Sequence, residues 1–542
     1  MKNFCKLGLL LTSLALAACT AMPPTRPADW AAPEVLVAPS SFHGVHGLAV
    51  DAKGRLLAGT VVGSSMWEVD RTTGAAKVFI AAPEGEADDI AIGSKGEMAW
   101  TSYLQGVVRY RENDAAPIRI LAKDLPGINS LAFDPKNGKL YASQVFLGDA
   151  MHEIDVAGIK PPRLIAKDIG GFNGFEVGPD GMIYGPIWFK GQVAKMNPAD
   201  GTITVINSEF KIPAAANLDG KGNLWAVDTN TGELIKVDLA TGRKTVMKQL
   251  NPAIDNLAIA PDGMVYVSNM ADNSVQSYNP GSGEVRLLTG GKLSVPGGIK
   301  LDGDTLWVAD LFAFREVNVK SGAVKDVFRM QSSDMEYPFA VGLSAKQFAL
   351  TSWFTGSVQI IDRATRKTVL TIHGLKAPMD ALFLDDGSLV FAEIATGEVT
   401  RASGADFKER TVIAKGLAGP VQMMVGKDGA LYVTEAAGNL TRINMADGSK
   451  TVVADKLALP EGVAQTPWGT FIVAEAAARR LVEIDPTNGS RRTVAENLPI
   501  GLEAGPGLPP PNIPTGVAVG ADGVIYMSAD RNNAIYKIRP QR

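Results

Sequence analysis

Five polar side chains stand just before short apolar stretches, about forty residues or a multiple of forty apart: His46, Asp88, Asn129, Asn173 and Asp255. Sets rich in Asp and Asn oxygens suit a hard cation, since calcium takes six to eight oxygen ligands and magnesium an oxygen octahedron. Asn173, Asp255, Asn129 and Asp88 are therefore a candidate set for Ca2+ or Mg2+. Asp88, Asp255 or His46 would serve as a base beside such an ion. The plainer alternative is that Asn and Asp before a strand bond their own backbone in a turn, and that His46 is packed. A second series follows the next apolar stretch in the later half: Asp310, Ser352, Glu393, Glu435, Glu475 and Asp530. From it Glu393, Glu435 and Glu475, together with Glu461 and with Asn256 beside Asp255, are candidate ligand-binding groups. Three acids around one axis raise one another's pKa unless a cation or Arg lies among them, and Arg479 and Arg480 are near enough in sequence to neutralise them.

Those residues need an element that repeats. A corner, glycine in all but Asp304 and Gln347, recurs at Gly54, Gly96, Gly138, Gly181, Gly222, Gly263, Gly387, Gly429, Gly469 and Gly523, about 40–43 residues apart except for the last step of 54. One unit reads "GFEVGPDGMIYGPIWFKGQVAKMNPADGTITVINSEF". It holds four strand-sized pieces rich in Val, Ile and Tyr, joined by Pro-Asp-Gly and Pro-Ala-Asp-Gly turns. A period near forty with four short strands marks a propeller blade. Helical repeats fail, because no window keeps helical spacing for three turns.

Twelve units exceed one ring, which normally holds about 4–8 blades. The expected fold is all-β: two tandem six-bladed β-propellers of four-stranded blades. The last unit stops after "AIYKIRPQR" without a fourth strand, and a spare strand, "PEVLVAP" at 33–39, precedes the first. An open ring exposes sheet edges, so the spare strand is expected to complete the blade spanning roughly 256–279. The strand at 283–290 would then complete the final blade. The divisions expected are a first propeller at 33–281 and a second at 282–542, with one insertion at 499–514. In such rings the start of the inner strand and the turn after the second strand share one face. Trp188, Phe189, Trp353 and Phe354 fall on that face, as pocket lining or as packing between blades.

The remaining features bound the setting. Residues 1–18 have a basic start and an apolar run too short to span a membrane, ending Leu16-Ala17-Ala18-Cys19. This resembles the lipobox of bacterial lipoproteins, which implies lipidation at Cys19. Thr20 in place of Asp then implies the outer membrane, facing the periplasm. Residues 19–32, rich in proline, read as a tether. The body beyond Cys19 holds no thiol, which excludes cysteine catalysis and disulfides. Basic and acidic residues number 53 and 57, with no run of one sign, so nucleic acid is not an expected partner. No G-x-S-x-G, P-loop, H-E-x-x-H or dinucleotide fingerprint occurs, and four scattered histidines do not suit zinc.

"FNGFEVGPDGMIY" at 172–184 resembles the Asn-Gly and Asp-Gly blade signature of the senescence marker protein/gluconolactonase family. That resemblance implies a divalent metal at a channel mouth and a ligand role for Asn173. The family places Glu in its first blade where His46 stands here, and the corresponding Glu of this chain is Glu461. The blade motif is also similar to NHL-repeat proteins and to virginiamycin B lyase, whose catalytic histidines lack counterparts here. Two functions are expected. One is an exported, lipid-anchored monomer whose channel mouth binds a small molecule, glycan or protein. The other is a metal-dependent hydrolase, lactonase or lyase, its ion polarising a carbonyl or activating water.

Overall fold

The computed structural model describes residues 25–506, 508 and 511–541; the expected signal peptide and lipidation site, residues 1–19, lie outside them. Twelve four-stranded antiparallel sheets follow one another along the chain, and among the described residues the one helical piece is the single turn Trp188–Lys190. Blade 4 shows how the repeat folds. Its strands are Glu176–Val177, Ile183–Ile187, Gln192–Met196 and Ile203–Asn207. The corner glycines Gly181 and Gly201 have φ of 82° and 76°, a region that side chains with a Cβ avoid. The second strand is buried throughout, whereas the outer strand is half-exposed. Apolar residues of adjacent blades meet between sheets: Met151 and Tyr141 of blade 3 pack on Phe172, Phe175 and Ile183 of blade 4. Burying each such side chain contributes about 1.5–3 kcal/mol.

Blades 1–6, residues 45–289, form the first ring; Ile254–Ile259 of blade 6 packs beside Val45–Val50 of blade 1. Blades 7–12 form the second, closed where Pro296–Asp302 meets Val517–Val519. The count of two six-bladed rings is as the repeat requires.

Closure differs from expectation. The spare strand, Glu34–Val37, does not complete blade 6. It pairs with Ala534–Ile538 and completes blade 12. Val285–Thr289 does not open the second ring either; it is the outer strand of blade 6, paired with Ser274–Tyr278. The rings therefore occupy 45–289 and 296–538 with 34–37, not 33–281 and 282–542. The reason is local. Blade 6 makes its own hairpin through the turn in which Asn279 N donates to Glu284 O and Gly283 N to Asn279 O. A short turn closes at less entropic cost than a strand brought from far away. That leaves blade 12 as the one blade with an open edge. The described part of the expected tether is docked rather than free. Asp29–Trp30 pairs with Pro540–Gln541, Arg26 Nε donates to Glu483 Oε1 at 3.0 Å, and Trp30 packs on Trp468 with centroids 5.8 Å apart.

The strand-entry faces of the two rings meet. Ala253, Met270 and Ala271 of blade 6 share one apolar cluster with Leu311, Phe312 and Phe339 of blades 7 and 8. Arg329 of blade 7 reaches into blade 6, donating to Asp272 Oδ1 at 2.8 Å and Pro252 O at 2.9 Å. The chain passing from Val37 to Val45 runs between the rings. Asn273 Nδ2 of ring one donates to Ser41 O at 2.6 Å, and Asn533 Nδ2 of ring two to the same oxygen at 3.2 Å. Gly44 follows at φ 68°, and a Cβ there would stand 2.1 Å from Phe312 Cε2. Only glycine lets ring two approach so closely.

Candidate functional site

Backbone bonds within blades and a side-chain bond between them set the mouth of ring one. Asp88 N donates to Thr101 O at 3.0 Å, and Thr101 Oγ1 donates to Asn129 O in the next blade at 2.6 Å. Asn173 N donates to Pro186 O at 3.1 Å. The strand-two hydroxyl thus fixes the neighbouring blade's mouth residue, and the side chains converge from distant parts of the sequence. His46, Asp88, Asn129, Asn173 and Asp255 all face one cavity. The sixth mouth position, Ala214, is buried in the core.

The centre of the set is His46. Its Nδ1 lies 3.1 Å from Asp255 Oδ2 and 3.2 Å from Asp88 Oδ1. One imidazole, with its single Nδ1 proton, serves two carboxylates. Burial alone would depress the imidazole, but hydrogen bonds to Asp255 and Asp88 and their charges push it up to about 10. Its Nε2 is buried without a hydrogen-bond partner among the described residues. Burial raises Asp88, with the charge of Asp255 adding to it, while His46 opposes the rise. Asn129 Nδ2 donates to Asp88 Oδ2, and the Ser130 hydroxyl is shared between Asn129 Oδ1 at 2.8 Å and Asn173 Oδ1 at 3.0 Å. Beneath lies a second layer, where Asn256 Nδ2 donates to Asp89 Oδ1 at 3.1 Å across blade 1. Burial pushes the Asp89 carboxyl up to about 8.

Ring two supplies the opposite wall. Phe312 meets the His46 ring edge-on, centroids 5.6 Å apart, and Tyr337, Phe339, Trp353 and Phe354 continue the wall. Burial, then the charges of Asp88 and Asp255, push the Tyr337 phenol up to about 12. The insertion at 499–514 closes one side: Trp353 Nε1 donates to Asn512 O at 2.8 Å, and Leu508 and Ile513 face the cavity. The cavity volume is about 110 Å3. One water needs roughly 10–15 Å3 on the same measure, so there is room for a small organic molecule. His46, Asp88 and Asp255 also offer three ligand atoms that all lie within 4.8 Å of one another, so the same floor could close on a divalent ion.

The acids after strand two do other work. Glu393 accepts from Lys376 N at 2.5 Å, Glu435 from Ala418 N at 2.5 Å, and Glu475 from Ala458 N at 2.8 Å. Glu475 is also paired with Arg480 Nε at 2.5 Å. Each carboxylate reaches back over the loop entering its own blade and satisfies a loop amide, as Asp310 and Asp530 do. These are loop clamps and not ligand groups facing the cavity. Asp380 sits one residue deeper than the mouth position, its carboxylate accepting from Ala381 N at 2.9 Å and Met423 N at 2.9 Å. Of the aromatics expected on the shared face, Trp188, Trp353 and Phe354 line the cavity, and Phe189 lies against Phe146 at 5.7 Å. The wall residues Phe312, Tyr103 and Tyr337 escaped sequence reading; the signal was the aromatic that follows strand two in blades 2 and 7.

Glu461 belongs to ring two's own channel, 1% exposed, with Thr515 N donating to its Oε2 at 2.7 Å. Burial, and then the charge of Asp530, push its carboxyl up to about 8 from an ordinary 4.5. Between those values the folded chain holds a proton that the unfolded chain has released. Stability from this group is therefore present below 4.5, declines through the window and is lost above about 8. Glu461→Gln keeps the neutral shape. It should be stabilising on the order of 2 kcal/mol at pH 8 and near neutral at pH 5. Melting curves at both values decide, and an equal shift at each pH rejects the assignment.

The fold and cavity define the chain as a tandem six-bladed β-propeller with a pocket where its rings meet. No protein-family model matches the chain, and no curated protein matches it. Among solved structures it is similar to one of a streptogramin B lyase, at 16% identity and a TM-score of 0.27, over 61% of this chain and 93% of that one.

Proposed function

We propose that this chain is a small-molecule binding protein of the cell envelope whose ligand occupies the cavity between the two rings. The single observation that supports it is the make-up of that cavity: a His–Asp–Asp floor from ring one, its side chains 8–15% exposed, facing an aromatic wall from ring two. Ligand sites elsewhere have this character, mostly apolar with a few convergent polar groups. Export and lipidation at Cys19 belong to the same reading and rest on residues 1–19 of the sequence. Small fragments soaked into crystals should concentrate in the cavity, and Val62→Trp, which fills it from ring one, should exclude them. Fragments scattered over the surface, or bound equally in the variant, reject the reading.

A metal-dependent hydrolase or lyase is the second reading, favoured by the spacing of the three ligand atoms of His46, Asp88 and Asp255. Asn129 and Asn173 stand next to them and would complete an oxygen-rich site for Ca2+ or Mg2+. Elemental analysis of the purified chain tests it. A stoichiometric divalent metal that Asp255→Asn removes supports this reading, and its absence from the parent after dialysis against Ca2+ and Mg2+ rejects it.

A further inference from the structure

We propose that the occupant of the inter-ring cavity is an organic cation, an amine carried on a flat apolar body. This rests on the ligand-binding reading above and adds the chemical class. Charge decides first. Among the described residues facing the cavity the charged groups are His46, Asp88 and Asp255, with no Lys or Arg. Counted formally, two carboxylates face one imidazole, so acidic groups outnumber basic ones on the floor. An anion entering would lose its water against acidic groups, and a neutral ligand would leave a carboxylate facing the cavity without a counter-ion.

The free valence is specific. Asp255 gives Oδ2 to His46, while its Oδ1 takes no hydrogen bond from a described residue, and the side chain keeps 15% exposure at the cavity. An ammonium N–H reaching Oδ1 would make a charge-assisted hydrogen bond. Across the cavity stands a cluster of aromatic rings packed on one another. Phe312 and Tyr337 lie 6.3 Å apart, Tyr337 and Phe354 5.4 Å, and Phe339 and Trp353 5.1 Å. Cations within about 6 Å of such ring centres are drawn to the negative π face. A bare metal ion makes poor use of this wall, because hard cations seek oxygens on every side. The open edge is apolar as well, with Phe146 45% and Phe354 39% exposed. That edge accommodates the body of the ligand, not a hydrated ion.

The test compares three probes of one shape on the mature chain after treatment with chelator: benzylamine, benzyl alcohol and benzoate, each by titration calorimetry. Benzylamine is expected to bind at least tenfold more tightly than the alcohol, with benzoate weaker still. Asp255→Asn should remove that preference while leaving the melting temperature close to the parent's. Should the variant fail to fold, the ranking on the parent chain decides alone. Alcohol or benzoate binding as tightly as the amine overturns the cation and leaves the ligand cavity standing. Binding that appears only on adding Mg2+, Ca2+ or Zn2+ overturns it in favour of a metal. No binding of any probe overturns both the cation and the ligand-binding reading.

Discussion

Deleting residues 25–38 is expected to unfold ring two at temperatures where the intact chain is stable. The segment supplies the fourth strand of blade 12, with Glu34, Val35 and Val37 opposite Lys537, Tyr536 and Ile535. Val37 is 1% exposed and packs with Leu293, Ile299 and Ile535, so it also covers the seam between blades 7 and 12. Trp30, 6% exposed, joins the cluster of Ile472, Leu481 and Val517. Burial of these two side chains and the ladder hydrogen bonds together contribute on the order of 5 kcal/mol. Whole domains are stable by only about 5–15 kcal/mol, so the loss is comparable to the total. Thermal melts of parent and truncated chains measure it. Reattaching residues 33–38 behind residue 542 through a short linker should restore the transition. A truncated chain melting with its parent would show that blade 12 stands on three strands.

Arg315→Leu should cost about 3–5 kcal/mol, because it strips a buried carboxylate of its counter-ion. Arg315 is 3% exposed, and its Nε donates at 2.6 Å to Asp310 Oδ2, whose side chain is fully buried. The same guanidinium pairs with Asp326 and donates to Ala271 O of ring one, so it also ties the rings together. Asp310 keeps the amides of Ser294 and Val295 after the substitution, yet its charge has no partner. Asp310→Asn added to Arg315→Leu removes that charge and should recover much of the loss, which makes the pair strongly non-additive. Urea unfolding of the two single variants, the double variant and the parent gives the coupling directly. A double variant as unstable as the sum of its parts would show that the charge pairing is incidental.

What could be read without coordinates was what local pattern encodes. Corner glycines such as Gly181 mark turns that need positive φ, and they put twelve blades and two rings on the page. The start of each inner strand follows from the same register, which is why His46, Asp88, Asn129, Asn173 and Asp255 could be placed on one face. Pairing across long distances has no such mark. Glu34–Val37 has the alternation to suit any open edge, and nothing within it selects Ala534–Ile538 over blade 6. Asp380 lies one residue further along its strand than the mouth position, where its carboxylate accepts from backbone amides and faces no cavity. Glu393, Glu435 and Glu475 looked like free acids because their partners are backbone amides, and amides have no residue type. The wall was legible in part, through Trp353 and Phe354, but that it stands opposite His46 belongs to the angle at which two rings meet, and no blade repeat records that.

The crossed closure bears on the order in which the molecule can be made. Ring one has all its strands between 45 and 289 and can close while the rest of the chain is still being synthesised. Ring two cannot, because Glu34 must find Lys537, the first-made end of the body meeting the last. Contacts so far apart in sequence form slowly, and the waiting strand is an unpaired edge throughout. The segment at 25–37 is therefore the final latch although it is made before either ring. Anything that captures residues 25–37 before residue 538 emerges leaves ring two open, and with it the wall that faces His46.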